Sequence, residues 1–166
     1  MKLSKSLIIW LVVAVVLIVI YFSLKGTYNN IVTKNEGVKS QWANVENVYQ
    51  RRADLIPNLV NTVKGYAEHE KETLTKVIEA RAKATSMNVN FSDENSMKEF
   101  QAAQSQVSSS LSRLLVSVEQ YPDLKANQNF LDLQAQLEGT ENRITVERKN
   151  YNDIARDFNT YIKKFP

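Results

Sequence analysis

From Leu7 to Phe22 the chain reads LIIWLVVAVVLIVIYF without a charged or strongly polar residue, and Ser23-Leu24 carries the run to Lys25. Eighteen residues in helical geometry span ~27 Å, close to the hydrocarbon thickness of a bilayer. Trp10 lies near one end and Tyr21-Phe22 at the other, where amphipathic rings sit at headgroup level. A cleaved signal would have a shorter apolar core and a small-x-small site, whereas Tyr-Phe-Ser-Leu-Lys is found here. The run therefore predicts an uncleaved membrane anchor at residues 7–24, behind a short tail at 1–6 and ahead of a domain at 25–166. The bilayer is the first expected partner.

Beyond Gly26 continuous apolarity gives way to steps of three and four. Tyr28, Ile31, Asn35, Val38, Trp42, Val45, Tyr49, Arg52 and Ile56 fall on one stripe, as amphipathic helices packed nearly parallel require. Leu59, Val63, Tyr66, Glu70, Leu74, Val77 and Arg81 make a second stripe, and Met97, Phe100, Gln104, Val107, Leu111, Leu114, Val118 and Tyr121 a third. The last is the most regular: Phe130, Leu133, Leu137, Thr140, Ile144, Glu147, Tyr151, Ile154, Phe158, Tyr161 and Phe165. The pattern predicts an all-α protein, an N-terminal transmembrane helix followed by an antiparallel, up-and-down bundle of long helices. Residues 87–93 read as the longest loop, with Ser92 or Asp93 as N-cap and Ser96-x-x-Glu99 as a candidate capping box.

The break between the first two stripes decides the topology. A straight helix over 28–86 would run ~88 Å against only ~39 Å of third helix, which leaves Trp42, Val45 and Val48 uncovered in a monomer. Pro57 cannot donate its backbone nitrogen and disfavours helix at Ile56, so a break or kink is expected at Asp54 to Pro57, with Asp54 able to cap the second helix. Four helices of roughly 28, 30, 26 and 42 residues then share one core. The competing arrangement is an unbroken helix plus oligomerisation, supported by the heptad phase that runs through Ile56, Leu59 and Val63. In the four-helix arrangement, Asn35, Arg81 and Glu147 come to one level and are expected to form a polar layer with an Arg81–Glu147 pair.

The segment RRADLIPNLVNTVKGYAEHEKETLTKVIEARAKA, Arg51 to Ala84, resembles the signature of the LemA family of single-pass bacterial membrane proteins. The closing block from Tyr121 to Pro166 resembles that family's final region, and Tyr28-Asn29-Asn30-Ile31-Val32 the start of its soluble part. The resemblance implies a bundle of long helices and no particular reaction. It also implies company, since LemA-like proteins are found alongside membrane proteases and some are associated with remodelled internal membranes. Relatives usually continue past the Phe-Pro matching Phe165-Pro166 into an apolar tail, and whatever that tail does is not carried over.

Chemistry is sparse. The net charge is +3, and setting aside Lys2 and Lys5 leaves 19 basic against 18 acidic side chains, so there is no basic stripe for nucleic acid. With no cysteine, thiolate metal sites, disulfides and cysteine nucleophiles are excluded. His69 is the only histidine, and HEKET lacks the second imidazole of a zinc helix. No catalytic residue, metal or cofactor is expected. The chain reads instead as a non-enzymatic scaffold in the bacterial cytoplasmic (inner) membrane, concerned with envelope organisation or membrane remodelling. It is expected to self-associate through serine-rich or aromatic helix faces. The alternative is an accessory or sensor subunit that regulates a membrane protease or another membrane-protein partner. Lys2 and Lys5 precede the anchor and Lys25, Lys34 and Lys39 come after it, a nearly even count. The resemblance, in which some members carry a lipoprotein-type signal, puts the domain outside the cytoplasm, with the cytoplasmic side as the alternative.

Overall fold

The structure is a computed structural model that describes residues 5–89 and 93–164. Every element among the described residues is helical: α1 Lys5–Lys64, a 3₁₀ turn Glu68–Glu70, α2 Lys71–Thr85, α3 Glu94–Val118, a single-turn α4 Pro122–Lys125, and α5 Gln128–Lys163. The chain divides into two compact units, Met1–Asn44 with Glu147–Pro166, and Val45–Val146.

The second unit realises the four-helix reading. Ile56, Leu59 and Val63 of α1, Leu74 and Val77 of α2, Val107, Leu111 and Leu114 of α3, and Phe130 and Leu137 of α5 form one apolar cluster. Each of these residues lies on a heptad stripe. Leu59, Val63, Val77 and Leu114 have no solvent exposure, so each apolar side chain contributes about 1.5–3 kcal/mol by leaving water. The connections are short and locally bonded. Asp93 caps α3 by accepting the Asn95 amide at 3.0 Å, and Asn127 Oδ1 accepts the Phe130 amide at 3.1 Å at the head of α5. Ser96 and Glu99 lie inside α3, so the capping box is not the start of that helix; Ser92, the other cap candidate, lies outside the described residues.

The fold-back is not where the proline put it. α1 continues through Pro57 to Lys64, and Asp54 caps nothing; it accepts from Gln50 Nε2 at 2.9 Å within the helix. Nor does the helix run on to residue 86. It ends at Gly65-Tyr66-Ala67, where the amides of Tyr66 and Ala67 both turn back onto the Val63 carbonyl at 3.0 and 2.9 Å. Ala67, fully buried, then takes the core place that heptad spacing assigns to the exposed Tyr66. Lacking an N–H, Pro57 leaves the carbonyl of Ala53 without its helical donor. Arg81 Nε supplies the missing bond, donating to Ala53 O at 2.6 Å from α2. That is how the proline is held inside a helix.

The first unit pairs the N-terminal part of α1 with the end of α5. Every described apolar side chain from Ile8 to Leu24 is exposed, and the segment fits a single-pass membrane anchor. Farther along, Val38 and Trp42 are buried, and Trp42 meets Tyr151 edge-on with ring centroids 5.1 Å apart. Gln41 Nε2 donates to Glu147 Oε2 at 2.7 Å, and Lys34 Nζ sits 5.4 Å above the Tyr161 ring. The two helices are therefore antiparallel, with rising numbers on one matched to falling numbers on the other. Phe165 and Pro166 lie outside the described residues.

Candidate functional site

The most buried charge in the second unit is Arg52, only 1% exposed in the middle of α1. Heptad spacing brings it to the core face, and desolvating a guanidinium is tolerable only if its donors find acceptors. Here they do. Nη1 donates to Ser108 Oγ at 2.7 Å and Glu141 Oε1 at 2.5 Å; Nη2 donates to Gln104 Oε1 at 2.5 Å and its carbonyl at 3.2 Å. The guanidinium also lies 5.3 Å from the Tyr49 ring, which packs edge-on against Phe100 at 5.2 Å. One side chain of α1 thus ties α3 to α5. The pair with Glu141 is asymmetric, since the arginine is sealed while the carboxylate side chain keeps 39% of its exposure.

A cavity of about 260 Å³ opens beside this hub, lined by Tyr49, Gln50, Arg52, Arg81, Phe100 and Gln104 among others. Its chemistry is that of binding: aromatic walls, amides and two guanidinium groups. Four of the five Arg52 N–H donors are already engaged within the protein, so that residue fixes the wall rather than serving as a free ligand group. At the far end of the bundle, Tyr121 donates its hydroxyl to Glu70 Oε1 at 3.2 Å. Burial and then the Glu70 carboxylate push its phenol above the usual tyrosine range. His69 sits in the 3₁₀ turn.

The residues expected to form a polar layer have separate fates. Arg81 belongs to the second unit and is engaged by the Ala53 carbonyl, whereas Glu147 belongs to the first and is held by Gln41. Asn35 is half-buried in the first unit. Placing them at one level assumes a turn at Pro57, and the register shifts when α1 runs to Lys64. Arg52 and Gln104 are visible in the sequence as polar residues at core positions, yet spacing alone does not show that they meet. Ser108 and Glu141 give no signal of their own, because each is one polar residue among several on its helix.

The Pro57–Arg81 relation is testable by coupling. Arg81→Ala is expected to cost about 1–3 kcal/mol because it leaves the Ala53 carbonyl unsatisfied near the core. In a Pro57→Ala background the new amide can take that carbonyl, and the same substitution should cost about 1 kcal/mol less. Urea unfolding of the four proteins, followed by helical circular dichroism, measures the difference. Equal costs in both backgrounds would show that Arg81 is not the replacement donor.

Comparison with known proteins finds relatives along most of the chain. The family model described as LemA family matches residues 41–166. Protein LemA of Metamycoplasma hominis is 29% identical over 147 residues, which cover 89% of this chain and 64% of that protein. The chain thus spans a little under two thirds of that relative's length. Magnetosome protein MamQ 2 of Paramagnetospirillum magneticum is 27% identical over 186 aligned residues, with 99% of this chain and 68% of the relative covered. Magnetosome protein MamQ of Magnetospirillum gryphiswaldense is 28% identical over 158 residues, 84% of this chain and 58% of that protein.

Proposed function

This chain belongs to the LemA family, and from that premise we propose that it is a membrane-anchored, non-enzymatic helical scaffold acting in envelope organisation or membrane remodelling. The observation that carries the reading is α1 itself. One helix holds the apolar anchor segment and, without interruption, supplies Ile56, Leu59 and Val63 to the bundle core. A bundle built in this way is presented to partners rather than closed around chemistry. The MamQ relatives, named as magnetosome proteins, support a role at membranes. Exposed Ile78 and Val116 on the second unit, the latter with Ser112 and Ser117 near it in sequence, offer surface for self-association.

The cavity beside Arg52 and Arg81 favours a second reading, an accessory or sensor subunit that regulates a membrane protease or another envelope partner. Pull-down from detergent extracts, with light scattering of the purified protein, separates the two. Oligomers of this chain alone support the scaffold; a monomer that brings down one stoichiometric foreign partner supports the regulator and overturns the scaffold.

Our reading places the domain outside the cytoplasm. The absence of cysteine makes Thr27→Cys a clean reporter, since a membrane-impermeant thiol reagent then has one target. Labelling in intact cells, with a periplasmic thiol as positive control, is the expected result. Labelling only after lysis would move the domain to the cytoplasm.

A further inference from the structure

The charge of the first unit is unevenly placed. In residues 36–44 Glu36 faces Lys39 at 2.7 Å, and in residues 147–157 the acids Glu147, Asp153 and Asp157 equal the bases Arg148, Lys149 and Arg156 in number. Arg156 is itself paired with Asp153 at 2.9 Å. Past the anchor segment, the positions on either side of these, 25–35 and 158–164, contain Lys25, Lys34, Lys163 and Lys164 and no carboxylate side chain. All four lysines are exposed, and none makes an ion pair among the described residues.

Their height above the bilayer is set by the helix. Lys25 directly adjoins the apolar run, and Lys34 is ten residues past Leu24, ~15 Å along the axis. Lys34 over the Tyr161 ring fixes the register of the antiparallel α5, so Lys163 and Lys164 continue from that level toward the anchor by ~3–5 Å. The headgroup layer extends roughly 5–7 Å beyond the hydrocarbon. The four ammonium groups therefore lie in that layer or within about a Debye length, ~8 Å at physiological ionic strength, of its outer edge. Tyr28, Val32 and Ile162, also exposed, sit at the same end.

From this placement we infer that residues 25–35 and 158–164 form a lysine collar that binds the headgroups of anionic phospholipids around the anchor. It rests on the anchor reading and adds lipid selectivity to it. Each lysine near a charged membrane surface is worth roughly a fivefold preference, and the more distant Lys34 less. The collar draws anionic lipid to the protein and holds the end of α5 against the membrane.

The test uses the full chain in nanodiscs of zwitterionic lipid with increasing phosphatidylglycerol. An environment-sensitive fluorophore on Thr160→Cys reports approach of α5 to the headgroups through quenching by headgroup-labelled lipid. Quenching is expected to rise about threefold between none and ~30% anionic lipid and to fall back in ~0.5 M salt, as a screened surface interaction must. Replacing the four collar lysines with glutamine should abolish most of the rise. The same change at Lys64, Lys71, Lys83 and Lys125, which removes equal charge from the second unit, should not. Circular dichroism checks that both variants stay helical, and the salt series on the unsubstituted collar stands without them. Quenching indifferent to phosphatidylglycerol overturns the collar, as does an equal loss in the control variant. If inorganic phosphate in purely zwitterionic discs reproduces the change, the site takes free anions and the lipid assignment is wrong. Failure of the anchor reading looks different: the protein would elute apart from the discs.

Discussion

Arg52→Ala is expected to destabilise the protein by about 3–5 kcal/mol, the sum of unsatisfied buried polar groups and lost packing. The loss comes chiefly from the stranded partners. Gln104, itself buried, loses both bonds to Nη2, and Ser108 loses the donor to its hydroxyl. Glu141 contributes less, because its carboxylate keeps 39% of its exposure and can return to solvent. Removing the long stem also opens space beside Tyr49 and adds a packing loss. Arg52→Met restores the stem without the charge and should recover about 1–2 kcal/mol of the deficit. By contrast, Lys39→Ala removes a pair whose partners are 46% and 61% exposed, and should change stability by less than about 1 kcal/mol. Urea unfolding in a single detergent gives all three values. An Arg52→Ala loss no larger than that of Lys39→Ala would show that the hub does not hold α3 and α5 together.

The contrast between Arg52 and Pro57 shows where reading the chain succeeds and where it stops. Heptad stripes report which face of a helix is buried, and the positions from Val38 to Ile56 on the first stripe and from Phe100 to Val118 on the third are buried in the structure. The apolar run is equally plain, because eighteen residues without a charge have few other uses. The turn is not. Locally, Pro57 is the strongest helix breaker in the first ninety residues, and Gly65 a much weaker one. The outcome is decided by a hydrogen bond from Arg81 to the Ala53 carbonyl, 28 positions before it, which removes much of the proline's penalty and lets α1 continue to the weaker signal. Partners of Arg52 are hidden for the same reason. Its bonds cross to α3 and α5 at separations of 52 to 89 positions, and no local pattern in a single chain encodes which polar residue on a facing helix will meet it.

A protein that begins at Gly26 is expected to leave the membrane fraction almost completely while keeping its helical circular dichroism. Every described apolar side chain upstream, from Ile8 to Leu24, is exposed, so nothing downstream depends on contact with that segment, and its removal opens no cavity. The buried clusters of both units start later, at Val38 in the first and Val45 in the second. For the intact chain the balance is reversed. Transferring an apolar side chain of this kind out of water is worth about 1.5–3 kcal/mol, and more than a dozen such residues act together, which makes insertion effectively irreversible. Fractionation into soluble, carbonate-extracted and detergent-extracted pools measures the shift. The full chain should require detergent, and the shortened one should be soluble, with only a salt-sensitive trace on anionic vesicles through Lys34, Lys163 and Lys164. A shortened protein that still needs detergent would mean that a second apolar surface, such as the exposed Ile78 and Val116, seats in the bilayer. One that is soluble but unfolded would mean that the anchor is a structural part of α1 rather than a tether.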